Sequence, residues 1–323
     1  MTQSAHPVSE RIWAKNAVKI RAALAVSVDA DEVVKHYLMT HPVTTDNPTQ
    51  DRVRARAWAV HNVKVNNAPL KAALSRLYRE SYSFGQANAE DYVFTHIRRK
   101  SVEIGAIDWS TWNPGNPEAS RLIGAPNGLQ SLLGNIQITS LNMEKSSYDL
   151  LGSRLADGLA IGAAPSTIAT MIKNQLSTPE RALMIARTEG SRASNAASQE
   201  LYQSMGITQH EWSAVDPVGC ACVELDGEIV DIGEVFPSSD EGVTQPPEHP
   251  NCVCTTLPVL PDSLTLDTVQ NTLSDAQNNY SDYLLGGAIG ASDSQDDGEG
   301  DTYITDQPSV TVTKPLQSNP KRR

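Results

Sequence analysis

Apolar positions recur at helical spacing through most of the first half of the chain. Trp13, Ala17, Ile20 and Leu24 share one face of a segment, 9–28, whose other positions are largely charged, and they predict an amphipathic helix. Asp31 to Met39 reads as a short helix that must stop before His41-Pro42, because the residue ahead of a proline is pushed out of helical geometry. Asp51 to Val63 repeats the pattern through Val53, Ala57, Val60 and Val63, with arginines on the opposite side. Leu70, Leu74, Leu77 and Ser81 carry it on to Gly85, where that helix is expected to end. Faces of this width are buried by neighbouring helices, so the pattern predicts a helical bundle.

Between Ser101 and Leu133 the periodicity lapses. The stretch Trp109 to Pro117, with two tryptophans among prolines, predicts an extended loop anchored by its indoles. Helical signal returns with Leu141, Tyr148, Leu151, Leu155 and Leu159, closed by Gly162, and again through Ile168, Met171, Ile172 and Leu176. Thr178-Pro179-Glu180 then gives an N-cap, a proline at the first helical position and an acidic first turn. The Ala-rich helix it opens runs to Met205 and ends at Gly206.

After Gly206 the texture changes to short strands. Gln209 to Val215 contains Trp212. Cys222–Leu225 and Glu228–Asp231 flank Asp226-Gly227, a hairpin signal, and Cys252 to Leu257 alternates as a further strand. Leu266, Val269, Leu273, Tyr280 and Leu284 predict a last helix. The remainder is acidic and rich in Gly and Ser, too polar to offset its ordering entropy, and predicts a disordered tail. The fold class that follows is α+β. A mainly helical N-terminal region covers 1–140, and a long helix with a small β-rich Cys/His module covers 141–260. A C-terminal helix covers 261–285 and the tail 286–323.

Charge and composition narrow the function. A formal charge of -12 argues against nucleic-acid binding by the chain as a whole, since phosphates are neutralised by clustered Lys and Arg; a local basic face near Arg52, Arg54, Arg56 and Lys64 is the exception to test. No run of about 18 apolar residues predicts a membrane span, and the N-terminus lacks the apolar core of a signal peptide. A cytosolic start is therefore expected, where thiols stay reduced.

All four cysteines fall within 220–254, as Cys220-Ala221-Cys222 and His249-Pro250-Asn251-Cys252-Val253-Cys254. With His249 they supply the ligand types of a structural zinc site. In a regular strand, positions i and i+2 lie about 6–7 Å apart, so a Cys-x-Cys pair converges on one ion only where the chain bends. Three readings stand: a structural metal on Cys220, Cys222, His249, Cys252 and Cys254; a reduced thiol core packed with Trp212; or disulfides. On the Ala-rich helix, Glu189 and Arg192 can pair as helix neighbours. Alternatively, Arg187 and Glu189 tie the helix to the Cys/His module by charge-assisted hydrogen bonds. No phosphate-binding loop and no Ser/His/Asp constellation is present, and the stiff Pro250 between His249 and Cys252 disfavours a catalytic Cys–His pair.

The order of these features is an Ala-rich helix with Ile185-Ala186-Arg187-Thr188-Glu189, then Trp212 and Asp216, Cys-x-Cys before Asp226-Gly227, and Pro246-Pro247-Glu248-His249-Pro250-Asn251-Cys252-Val253-Cys254. It resembles the C-terminal module of the Mu-F-like minor head proteins, or head morphogenesis proteins, of tailed bacteriophages, over roughly Leu150 to Leu260. The family's first cysteine pair more often reads Cys-x-x-Cys than the Cys220-Ala221-Cys222 found here. The resemblance implies a non-enzymatic virion component, present in the host cytoplasm during procapsid assembly and associated with portal, major capsid or scaffolding protein. It implies structural roles for Arg187, Thr188, Glu189, Trp212, Asp216, Asp226, Gly227 and Pro250. The competing class is a Cys/His or metal-dependent hydrolase acting on capsid or cell-wall substrates.

Overall fold

Caps and prolines set where the helices begin. The computed structural model describes residues 7–41, 45, 47–98, 127–215, 221–265, 267, 269 and 271. Helix α1, Pro7–Ala25, buries Ile12, Trp13, Ala17, Ile20 and Leu24, the predicted face. Helix α2, Ala30–Thr40, starts at Asp29, whose carboxylate accepts from the Glu32 amide; α3, Pro48–Asn62, starts at Asn47, whose side chain accepts from Thr49 and Gln50. The bundle continues through α4 (Ala68–Arg98), α5 (Asn127–Gly134), α6 (Ile136–Ala160), α7 (Pro165–Leu176) and α8 (Pro179–Ser204). As the sequence predicts, Thr178 caps α8 by accepting from the Arg181 amide, and Gly206 follows its end at φ 74°.

Two predicted features of the helices are corrected. Helix α3 buries Ala55, Trp58, Ala59 and the following Val63, whereas Val53 is 65% exposed and Val60 43%. The Trp58 ring packs edge-on to Tyr37 with centroids 4.9 Å apart, and this aromatic contact sets which face of the helix is turned inward. Helix α4 does not end at Gly85 but runs 31 residues to Arg98. Gly85 is instead where α4 and α8 touch: a Cβ there would lie 2.1 Å from the Ser194 carbonyl oxygen. A glycine that reads as a stop is a contact point.

The helices build two main cores. One joins α1, α4 and α8 through Ile12, Trp13, Ile20, Leu24, Leu74, Leu77, Ala182 and Ala186. The other joins α2, α3, α6 and α7 through Val34, Tyr37, Trp58, Leu151, Leu155, Ile168 and Ile172. Helix α8 thus packs against elements from both ends of the sequence.

Beyond α8, β1 (Gln209–Ser213) is the centre of a three-stranded antiparallel sheet, flanked by β2 (Ile229–Asp231) and β3 (Thr255–Pro258). Gln209 pairs with Asp231, and Trp212 with Thr256. The architecture is α+β and mostly helical. Cys222–Leu225 is not a strand, however: Ala221–Leu225 forms a 3-10 turn, so Asp226-Gly227 is not a hairpin loop. Gly227, at φ 82°, donates its amide to the Trp212 carbonyl and steers the chain into β2, which pairs with β1. The strand expected from Cys252 begins only at Thr255, because Asn251 at φ 66° and a turn from the Cys252 amide to the His249 carbonyl keep 252–254 irregular. The predicted tryptophan loop, the tail and most of the last helix lie outside the described residues.

Gly85→Ala should lower stability by about 1–3 kcal/mol, because helix backbone rather than a pliable side chain opposes the new methyl. Gly134→Ala, with nothing within 4 Å of the added atom, is the control and should be neutral or stabilising. Urea midpoints of the two variants check this.

Candidate metal centre and its docking helix

Three thiols meet beneath the sheet. Cys222 arrives on the 3-10 turn, and Cys252 and Cys254 on the irregular strip before β3; their sulfurs all lie within 4.8 Å of one another, and each residue is 1% exposed. Cys222 and Cys252 Sγ are 3.7 Å apart, and all three thiols are free of disulfides. The bend at Asn251 lets the Cys-x-Cys pair converge as a regular strand would not. Around them pack Trp212, Ala214, Leu225, Val230 and Phe236, with the Trp212 and Phe236 rings edge-on at 5.0 Å.

A tetrahedral ion with sulfur ligands at about 2.3 Å holds neighbouring sulfurs about 3.8 Å apart, so the cluster fits a metal. Backbone hydrogen bonds from Cys254 and Glu248 reach the Cys252 sulfur, and one from Val215 reaches Cys254. Hydrogen bonding to Cys252 pushes the Cys222 thiol up, while the same contact, with another from Cys254, pulls Cys252 down. Cys252 is therefore the sulfur readiest to carry a negative charge. His249 stands outside the group; its Nδ1 lies 2.8 Å from the Pro250 carbonyl, and Pro250 itself is exposed. Cys220 and Asp216 lie outside the described residues.

The strip that carries Cys252 and Cys254 is held along α8 by a polar stripe. Thr188 Oγ1 accepts from the Asn251 amide at 2.8 Å, and Ser191 Oγ donates to the Cys254 carbonyl at 3.3 Å. Asn195, 1% exposed, donates to the same carbonyl at 3.2 Å and accepts from the Thr256 amide at 3.1 Å and from Thr255 Oγ1. Gln199 donates to the Thr244 carbonyl and Tyr202 to that of Thr256. These positions are three or four apart, the spacing of one helix face. Arg187 extends the clasp: it ion-pairs with Glu10 of α1 at 3.1 Å and reaches Asn251 Oδ1 at 3.5 Å.

The expectation that Arg187 and Glu189 together tie α8 to the module is therefore half met. Arg187 does so, aided by Thr188. Glu189 points the other way, into the bundle, where it accepts from Tyr78 at 2.6 Å and from Arg192 at 3.3 Å. Adjacent positions on a helix face about 100° apart, so residues 187 and 189 cannot share a target. Asp226 accepts from the Ala214 amide at 2.8 Å and fixes the end of β1. Sequence reasoning missed Ser191, Asn195, Gln199 and Tyr202, although their helical spacing on an otherwise alanine-rich segment is visible in the chain.

These features define a class: a helical bundle whose alanine-rich helix α8 docks a small thiol-bearing β-module. Residues 149–257, about a third of the chain, match the family described as Phage Mu protein F like protein, and over that stretch the chain is similar to it. An uncharacterized protein of Haemophilus influenzae is 28% identical over 183 residues, 55% of this chain. The match spans 37% of that relative's own length. No solved structure matches. Among the described residues, no helix is long and apolar enough to cross a membrane.

Asn195→Ala should cost about 1–3 kcal/mol, since it strands the buried Thr256 amide and leaves the Cys254 carbonyl to Ser191 alone. Faster amide exchange at Thr256 would accompany it.

His210 generates a second expectation. It is fully buried beside Phe236; Gln199 donates to its Nδ1, and its Nε2 has no hydrogen-bond partner among the described residues. Burial pushes its pKa down to about 4, so the folded protein holds it neutral while the unfolded chain takes up a proton near pH 6.5. Stability should fall as pH drops from 6.5 towards 4, by up to about 3 kcal/mol, and this contribution should level off below. Urea titrations across that range, with His210→Leu as the variant lacking this slope, check it.

Proposed function

We infer that the protein is a minor head component of a tailed bacteriophage, acting during procapsid assembly at the portal, major capsid or scaffolding protein and entering the virion without catalytic turnover. The observation that carries this reading is the family match over 149–257, in which Arg187, Thr188, Asp226 and the Cys-Val-Cys strip serve as joints of the fold. The three described thiols, Cys222, Cys252 and Cys254, are too deeply buried to meet a macromolecular substrate, which favours a structural role over the Cys/His hydrolase. Ion pairs of Arg52 with Asp157 and Arg56 with Asp149 neutralise much of the basic face on α3, which weighs against direct nucleic-acid binding.

Mass spectrometry of purified particles, with pull-downs against the other head proteins, tests the reading. The chain should be present in virions and capture at least one head protein. Arg187→Ala, which opens the clasp to Glu10 and Asn251, should lower incorporation in proportion to lost folded protein. A variant that assembles normally but leaves a specific cleavage undone would establish the hydrolase instead.

A further inference from the structure

The β-module is too small to account for its own order. Its strands are three to five residues long, and among the described residues three of the eight buried in its core are cysteines. A three-stranded sheet with so little apolar area is marginal in water, and units of this size are usually held by a disulfide or a metal. No disulfide joins these thiols. The strip 251–256 needs no further support, because Thr188, Ser191 and Asn195 of α8 already hold it. Among the described residues, no hydrogen bond ties the 3-10 turn Ala221–Leu225 to α8, and it meets the strip through the contact of Cys222 with Cys252.

We propose that Cys222, Cys252 and Cys254 bind one zinc ion, which cross-links the 3-10 turn to the strip clasped on α8 and makes the order of the β-module depend on metal. The sulfur spacing matches the edge of a zinc tetrahedron. All three sulfurs lie within 4.8 Å of one another and are buried, with Cys222 and Cys252 at 3.7 Å, so a single ion can reach each of them. Soft thiolates in a closed, buried setting select zinc over hard cations such as magnesium or calcium. On binding, Zn2+ replaces the thiol protons, which pass to solvent, and no oxidant or reductant is involved. The bundle keeps its two helical cores with or without the ion, so metal loss loosens 209–215 and 221–243 and leaves α1 and α4 in place. The proposal stands on the thiol geometry and is independent of the head-assembly reading; it holds or falls whether or not the chain enters virions.

The test uses the full chain, produced with zinc supplied and purified under reducing conditions without chelator. Elemental analysis should find about one zinc per chain, and cobalt substitution should give the intense charge-transfer absorption of several thiolates. Hydrogen exchange with and without a strong chelator should show protection lost across 209–215 and 221–243 and retained in α1 and α4. Cys222→Ser should lose the ion and reproduce the chelated exchange pattern while its helical circular dichroism persists. If that variant fails to fold, the metal content and exchange of the unaltered chain decide. Metal below about a tenth of an ion per chain, with no cobalt–thiolate absorption, would overturn the proposal in favour of a reduced thiol core. A Cys222–Cys252 disulfide found by mass, or an exchange pattern indifferent to chelation, would overturn it equally.

Discussion

One buried amide organises the contact between the two halves of the module. Asn195 sits mid-helix on α8, where its own backbone is already satisfied, and spends its side chain on the Cys254 carbonyl and the Thr256 amide. Irregular backbone packed under a helix must have its polar groups met, and here no sheet partner meets them. The side chain presents a donor and an acceptor side by side, as a neighbouring strand would. Without that pairing the strip and β3 keep the bonds to Thr188, Ser191 and Tyr202, and the sheet built on β3 is held less firmly on α8.

That dependence explains the composition of α8. Its alanines and Gly190 allow α1 and α4 to approach closely, and a Cβ at Gly190 would lie 2.3 Å from the Trp13 indole nitrogen. The polar residues between them look like an exposed face in sequence. Ser191, Asn195 and Ser198 are in fact buried, each with a partner outside its own helical turn. The helix is covered on several sides, by apolar contact on some and by hydrogen bonds on another.

How far the chain could be read from its residues follows from this. Helices whose burial is apolar and one-sided, such as α1 through Trp13 and Ile20 and α7 through Ile168 and Ile172, show it directly in their periodicity. The caps of α2, α3 and α8 are local chemistry and equally legible. What fails is whatever a distant segment decides. Gly85 is a glycine because of Ser194, more than a hundred residues on, and the faces of α3 turn on whether Trp58 or two valines find the better partner. The convergence of the thiols was visible as clustering, but the separation of His249 from them depends on the turn at Asn251, whose left-handed backbone no spacing argument supplies.

Val253 gives the Cys-Val-Cys spacing a further meaning. The two cysteines face the module core, while the valine between them packs into the core of α1, α4 and α8. A single irregular strip thus belongs to two hydrophobic interiors at once, on alternate residues. Sliding it by one position would drive thiols into the bundle and leave the module with a lone valine, so neither interior can repack without the other. The strip acts as a key cut on both edges, and it fixes the register in which the module sits on the bundle.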